Sequence, residues 1–144
     1  MWQPLNKNNN QTCTPSQLVH LTVDQAYSRT QLGKVMVIEQ FINEKILQTA
    51  AYVKAVIDKT LHYTELDRFV NDTMEEWTLI HVTDETPGSA KERVFWHVIH
   101  QFSLHGSQSL LTNLYFQSEI KTCIDFFEGI GSYPIDCIGW RPLA

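Results

Sequence analysis

Hydrophobic residues recur at helical spacing through most of the chain. At about 100° per residue, apolar side chains share one side of a helical wheel in four segments: 34–61, 65–81, 90–104 and 108–128. Polar residues fill the other side of 34–61, as in an amphipathic helix of roughly 40 Å. The strict alternation of a half-buried strand is weak throughout. The pattern therefore predicts an all-α, up-down bundle of four to five helices.

Local signals agree with several of the helix ends. A hydroxyl residue followed by a glutamine or an acid predicts helix starts at 14–17 (TPSQ), 64–67 (TELD) and 89–92 (SAKE). Gly129 suits the position just after a helix. Gly106 has two interpretations, because it either ends a helix or lies at a close-packing point inside one long helix.

The ends of the chain differ in composition from the helical part. Residues 1–13 are polar and rich in asparagine, which predicts a flexible arm before a single helical domain over 14–144. Residues 130–144 carry glycine and proline but also Tyr133, Ile135, Ile138 and Trp140. We therefore expect this apolar tail to pack back on the bundle.

Composition and charge narrow the class of protein. A chain of 144 residues with 43% hydrophobic residues is long and apolar enough for one domain. No apolar run approaches the ~20 residues of a membrane span, so no membrane partner is expected. The net charge of −5, without a basic block, argues against nucleic acid. Three cysteines without a CxxC motif or a signal peptide predict a cytoplasmic location.

The histidines are the first candidates for chemistry. His97, Gln101 and His105 follow one another at intervals of four residues and so lie on one stripe of a helix. A stripe of this kind, joined by a residue from a neighbouring helix, is how bundles build metal sites. However, His97 and His105 lie about 12 Å apart along a helix, too far for one ion, whereas His97 with His100, or His97 with Gln101, is feasible. The alternative is that these histidines are interior or boundary residues that form hydrogen bonds.

A second group of residues could surround a small ligand. Glu39 falls within the apolar arc of 34–61, where a buried carboxylate needs a partner and could be a metal ligand or a general base. The alternative is that it reaches water at the edge of the arc. A ligand pocket in the bundle would be lined by aromatic and imidazole side chains. With Glu39, its residues would be Trp77, His81, Phe95 and Phe102.

Three segments resemble the DinB-like (YfiT-like) four-helix-bundle proteins. Residues 95–108 (FWHVIHQFSLHGSQ) are similar to the last-helix signature of that family, which has a Trp-His-Val start, further histidines, and then a glycine and a glutamine. Residues 60–63 (TLHY) are similar to its second-helix Leu-x-His segment, and 129–140 resembles the way those chains finish. The resemblance implies a bundle that binds a divalent metal, zinc or nickel, and acts as a thiol transferase or hydrolase.

The same resemblance implies a set of metal ligands. The family takes one histidine from the second helix and a His-x-x-x-His pair from the last. Here that set is His62, His97 or Gln101, and His105. In the best register Gln101 stands at the first position of the pair and His105 at the second. A second register leaves no metal site.

Two functions from different classes follow. One is a small acidic binding or interaction module that docks a protein partner or forms a homodimer. The lack of an intact catalytic set and the aromatic tail favour it. The other is a DinB-like metal-dependent enzyme with a degenerate histidine site. A non-catalytic bundle that binds a small ligand is a third interpretation.

Overall fold

The fold is known from a computed structural model that describes residues 23–80, 82–134 and 139–142, with side chains from residue 37 onward. This part of the chain contains five helices and no strand, which confirms the all-α class. The helices are α1 (Val23–Ile57), α2 (Tyr63–Thr78), α3 (Ala90–His105), α4 (Ser109–Thr112) and α5 (Leu114–Phe127). None of these helices combines the length and hydropathy that a membrane-spanning helix needs.

Residue contacts divide the chain into two compact units, Met1–Phe41 and Ile42–Ala144, and α1 contributes residues to both. The predicted arm 1–13 and the predicted cap at 14–17 lie outside the described residues. The limits predicted for one domain, 14–144, stay a prediction.

In the first unit, α1 already includes Val23, the first residue that the structure describes, whereas the predicted helix starts at residue 34. The helix runs through Gly33, because a single glycine costs about 1 kcal/mol relative to alanine and does not by itself end a helix. Glu39 is exposed, although the wheel places it in the apolar arc. The buried side chains described for α1 begin only at Ile42, one turn later.

In the second unit, α1 ends at Ile57 in a Schellman turn, earlier than the predicted end at 61. The Thr60 amide donates to the carbonyl of Ala55 (2.9 Å), and the Lys59 amide donates to that of Val56 (3.1 Å). Lys59 takes a φ of 62°, in the left-handed region where helices usually place glycine.

The starts of α2 and α3 show one difference from the prediction and one agreement. His62 caps α2 instead of Thr64, since its Nδ1 accepts the amide of Thr64 (3.3 Å). Ser89 caps α3 as predicted, with its hydroxyl accepting the amide of Glu92 (3.1 Å). Gly106 ends α3 at φ 80° and ψ 152°, a backbone conformation that is essentially restricted to glycine.

The predicted helix 108–128 is divided in two at Asn113. This residue has an extended backbone, and its side-chain oxygen accepts the amides of Tyr115 (3.0 Å) and Phe116 (3.2 Å). Asparagine is among the best helix N-caps, so a new helix starts there. The end of α5 is as predicted, with Gly129 just after the cap at a φ of 81°.

The core of the second unit is built around α3. This helix packs against α2 and α5, and its residues from Val94 to Ile99 are all buried. Trp96 contacts Trp77 and Phe95 edge to face, with ring centroids 4.8 and 4.7 Å apart. A helix that is buried on nearly all sides is central to its fold.

The Schellman turn gives a first prediction. Lys59→Gly should raise the free energy of unfolding by about 0.5–1 kcal/mol, because glycine removes the Cβ penalty of the left-handed conformation. Urea unfolding followed by circular dichroism measures the change. Lys59→Ala is the control, since it removes the charge but keeps Cβ. A glycine variant no more stable than the alanine variant would contradict this account.

Candidate functional site

Two of the predicted metal ligands have local structural roles. His62 caps α2, and its ring stacks on that of Tyr63 at a centroid distance of 4.4 Å. His105 lies exposed in the last turn of α3, with its ring edge against Phe116 (5.5 Å).

His97 pairs with a carboxylate that the sequence did not point to. Its buried ring places Nε2 2.6 Å from Oε2 of Glu119 on α5. Because 22 positions separate the two residues, no local pattern could indicate the pair. Gln101, one turn further along α3, is half-buried. The pair joins α3 to α5, so a structural role accounts for His97.

The predicted ligands therefore do not form a common metal-binding site within the described residues. In that part of the chain, no three histidine, cysteine, aspartate or glutamate side chains form a group that could hold a metal ion. The proposed zinc or nickel site and the enzymatic function that depends on it stay predictions.

The predicted ligand-pocket residues are placed differently from the expectation. Trp77, Phe95 and Phe102 are buried in the core, where their rings pack against other aromatic rings instead of lining an open pocket. His81 lies outside the described residues. Glu39 is exposed in the first unit. A helical wheel cannot distinguish a core residue from one that lines a pocket or is exposed. It shows on which face of the helix a residue lies, but not what packs against that face.

A buried ion pair anchors the C-terminal segment to α3. Glu92 is only 3% exposed. Its Oε2 accepts hydrogen bonds from Arg141 Nε (2.5 Å) and Trp96 Nε1 (3.0 Å), and its Oε1 accepts from Arg141 Nη2 (3.0 Å) and the Gly88 amide (2.8 Å). The two-point pairing with arginine offsets the cost of burying the carboxylate.

Further contacts hold residues 139–142 in place. Of the apolar residues expected to pack on the bundle, Trp140 is 51% exposed and Tyr133 is half-buried. Ile135 and Ile138 lie outside the described residues. A Cβ at Gly139 would lie 2.0 Å from the carbonyl oxygen of Arg93, so only glycine fits there. The His100 ring donates to the Trp140 carbonyl (3.1 Å), and the Trp77 indole donates to that of Pro142 (3.1 Å).

The neighbouring loop also contacts Arg141. The Arg141 amide donates to the carbonyl of Glu85 (3.1 Å). In the same loop, hydrogen bonds from the amide and the hydroxyl of Thr86 lower the pKa of Asp84 below its usual value. The loop and the C-terminal segment thus close over the start of α3.

An open groove of about 260 Å³ lies between α1 and the end of α5. Ala50 and Ala51 leave space in the groove, because neither carries a side chain beyond Cβ. An ion pair between Lys54 and Glu128 lies at one end. Leu47, at the other end, is 74% exposed. The lining residues are Ile46, Leu47, Ala50, Ala51, Lys54, Phe127 and Glu128.

The groove suits an apolar side chain better than a polar small molecule. The charged groups in its lining, Lys54 and Glu128, satisfy each other. Sites for small polar ligands instead need several polar groups that converge on the ligand. The sequence carries a signal for this groove that the helical wheel overlooked, namely an isolated leucine, Leu47, on the polar face of α1.

No protein-family model matches the chain, and neither a curated protein nor a solved structure shows significant similarity to it. The DinB-like resemblance accordingly stays a prediction, and the candidate site depends on the geometry alone.

The buried ion pair gives a second prediction. Arg141→Met should lower the free energy of unfolding by about 3 kcal/mol, because it leaves the Glu92 carboxylate buried without its counter-charge. The matched control is Arg68→Met, which removes an exposed pair with Glu65 (3.1 Å) and should cost below about 1 kcal/mol. Chemical unfolding of both variants measures the difference. Equal losses in the two variants would show that the Glu92–Arg141 pair is not a special anchor.

Proposed function

We propose that this chain is a non-catalytic protein-interaction module and that a helical protein partner inserts an apolar side chain into the groove between α1 and α5. The observation that carries the proposal is the combination of an open, apolar-walled groove with the exposed side chain of Leu47 at its edge. Such a groove gives an apolar side chain a place to pack, and its lining lacks the convergent polar groups that a small polar ligand needs.

The shape of the groove supports a helical partner. Its α1 wall includes three residues that recur every three or four positions, Leu47, Ala51 and Lys54. Small residues on such a wall let a second helix approach to within the 8–10 Å typical of packed helices. The partner's large apolar side chains would then enter the space above Ala50 and Ala51.

The net charge supports a protein partner, and the cysteine content supports a cytoplasmic location. The net charge of −5 favours a protein partner over nucleic acid. Three cysteines in 144 residues are consistent with a cytoplasmic location, which we include in the proposal.

Site-specific crosslinking in cells that express the chain tests the proposal. A photoreactive phenylalanine analogue at position 47 should form one discrete covalent adduct, because that side chain would lie against the partner. The matched position is Leu104, a helical leucine on α3 that is also 74% exposed and lies outside the groove. We expect no discrete adduct from position 104.

A second substitution connects the adduct to the groove itself. Ala51→Phe should abolish the adduct at position 47, because the added ring would occupy the part of the groove that the partner's apolar side chain enters. Thermal unfolding of the variant checks that it folds. If position 47 yields no adduct, or if the adduct is unaffected by Ala51→Phe, the groove is not a docking site.

A further inference from the structure

We infer that the partner in the groove is a second copy of this chain, bound antiparallel about a two-fold axis that passes level with residue 49 of α1. The inference rests on the proposed function, since it identifies the occupant of the same groove. It is argued from the order of apolar and charged residues along one exposed stripe.

The stripe consists of four side chains that are all exposed: Glu44, Leu47, Ala51 and Lys54. At 100° per residue they fall within about 80° of one another, so one approaching helix can contact all of them. The stripe faces away from the buried side of α1, which is formed by Ile42, Thr49, Val53 and Val56.

Two copies of the stripe that run in opposite directions match each other, apolar residue to apolar residue and acid to base. Leu47 and Ala51 lie at equal distances on either side of residue 49, and so do Glu44 and Lys54. At 1.5 Å per residue the members of these pairs are about 6 and 15 Å apart along the helix. A two-fold axis at residue 49 therefore places Leu47 opposite Ala51 of the second copy, and Glu44 opposite Lys54 of the second copy.

The large side chain of Leu47 and the small side chain of Ala51 suit this pairing. Leu47 projects from the surface, whereas Ala51 lies in the groove one turn later. Under the two-fold operation each leucine enters the hollow above the alanine of the other copy, next to Phe127. A closed dimer of this type uses the same patch on both chains.

The charged contacts fix the direction of pairing. In the antiparallel dimer, Lys54 lies between Glu128 of its own chain and Glu44 of the second copy, so opposite charges meet at both ends. A parallel pairing in register would place Glu44 against Glu44 and Lys54 against Lys54. Juxtaposed like charges disfavour that alternative.

Sedimentation equilibrium over a series of protein concentrations tests for the dimer. The wild-type chain should show a reversible monomer–dimer equilibrium. Leu47→Gln should weaken dimerisation on the order of 100-fold, about tenfold for each of the two leucines. The matched variant Leu104→Gln should leave the dissociation constant unchanged. A wild-type chain that stays monomeric throughout would overturn the inference.

Mixing two charge variants tests the register. Glu44→Lys and Lys54→Glu should each be monomeric, because each creates two contacts between like charges. An equimolar mixture should form a heterodimer in which both contacts again join opposite charges. Thermal unfolding of each variant alone establishes that it is folded. If each variant dimerises as the wild type does, or if the folded variants do not associate when mixed, the antiparallel register is wrong.

The crosslinking experiment distinguishes failure of the homodimer from failure of the proposed interaction module. An adduct of twice the chain mass at position 47 supports both the interaction module and the homodimer. An adduct with a different protein, together with a monomeric wild-type chain in sedimentation, retains the module and removes the homodimer. No adduct together with a monomeric chain removes both.

Discussion

The burial of α3 is the constraint on which the second unit depends. Its side chains from Val94 to Ile99 are enclosed, and one acid, Glu92, is buried in its first turn. A buried carboxylate is tolerated only when its oxygens are paired, and here Arg141, Trp96 and the Gly88 amide provide the partners. The end of the chain must therefore return to the start of α3, and the loop before α3 closes over the same place.

The groove in the second unit results from how α1 and the end of α5 meet. The end of α5 lies beside α1 where two alanines leave little side chain between the helices. The α5 helix stops there because Gly129 and Ile130 close it with hydrogen bonds to Phe126 and Asp125. The result is an open space that neither helix fills, beside the exposed side chain of Leu47. A two-fold dimer would fill the groove and bury Leu47 in the same interface.

Local features of the fold could be predicted from the sequence, whereas distant pairings could not. The cap at Ser89 and the turn at Gly129 depend only on neighbouring residues, so their short signatures suffice. The break at Asn113 is also local, but the apolar stripe continues across it and masks the cap. By contrast, the Glu92–Arg141 pair joins residues 49 positions apart, and the sequence does not indicate which residues the tertiary fold brings together. The candidate site was missed for the same reason, since an exposed leucine gains meaning only beside the end of α5.

The distance between spin labels in the dimer tests the central claim most directly. With the native cysteines replaced by alanine, a label at Asp58→Cys should give an intermolecular separation of about 27 Å along the helix axis, because each label lies nine residues from the level of the two-fold axis. A parallel pair of helices would bring the two labels to within about 10 Å, the usual spacing of packed helices. A distance near 30 Å confirms the antiparallel dimer. A short distance, or no intermolecular dipolar signal at high protein concentration, contradicts it.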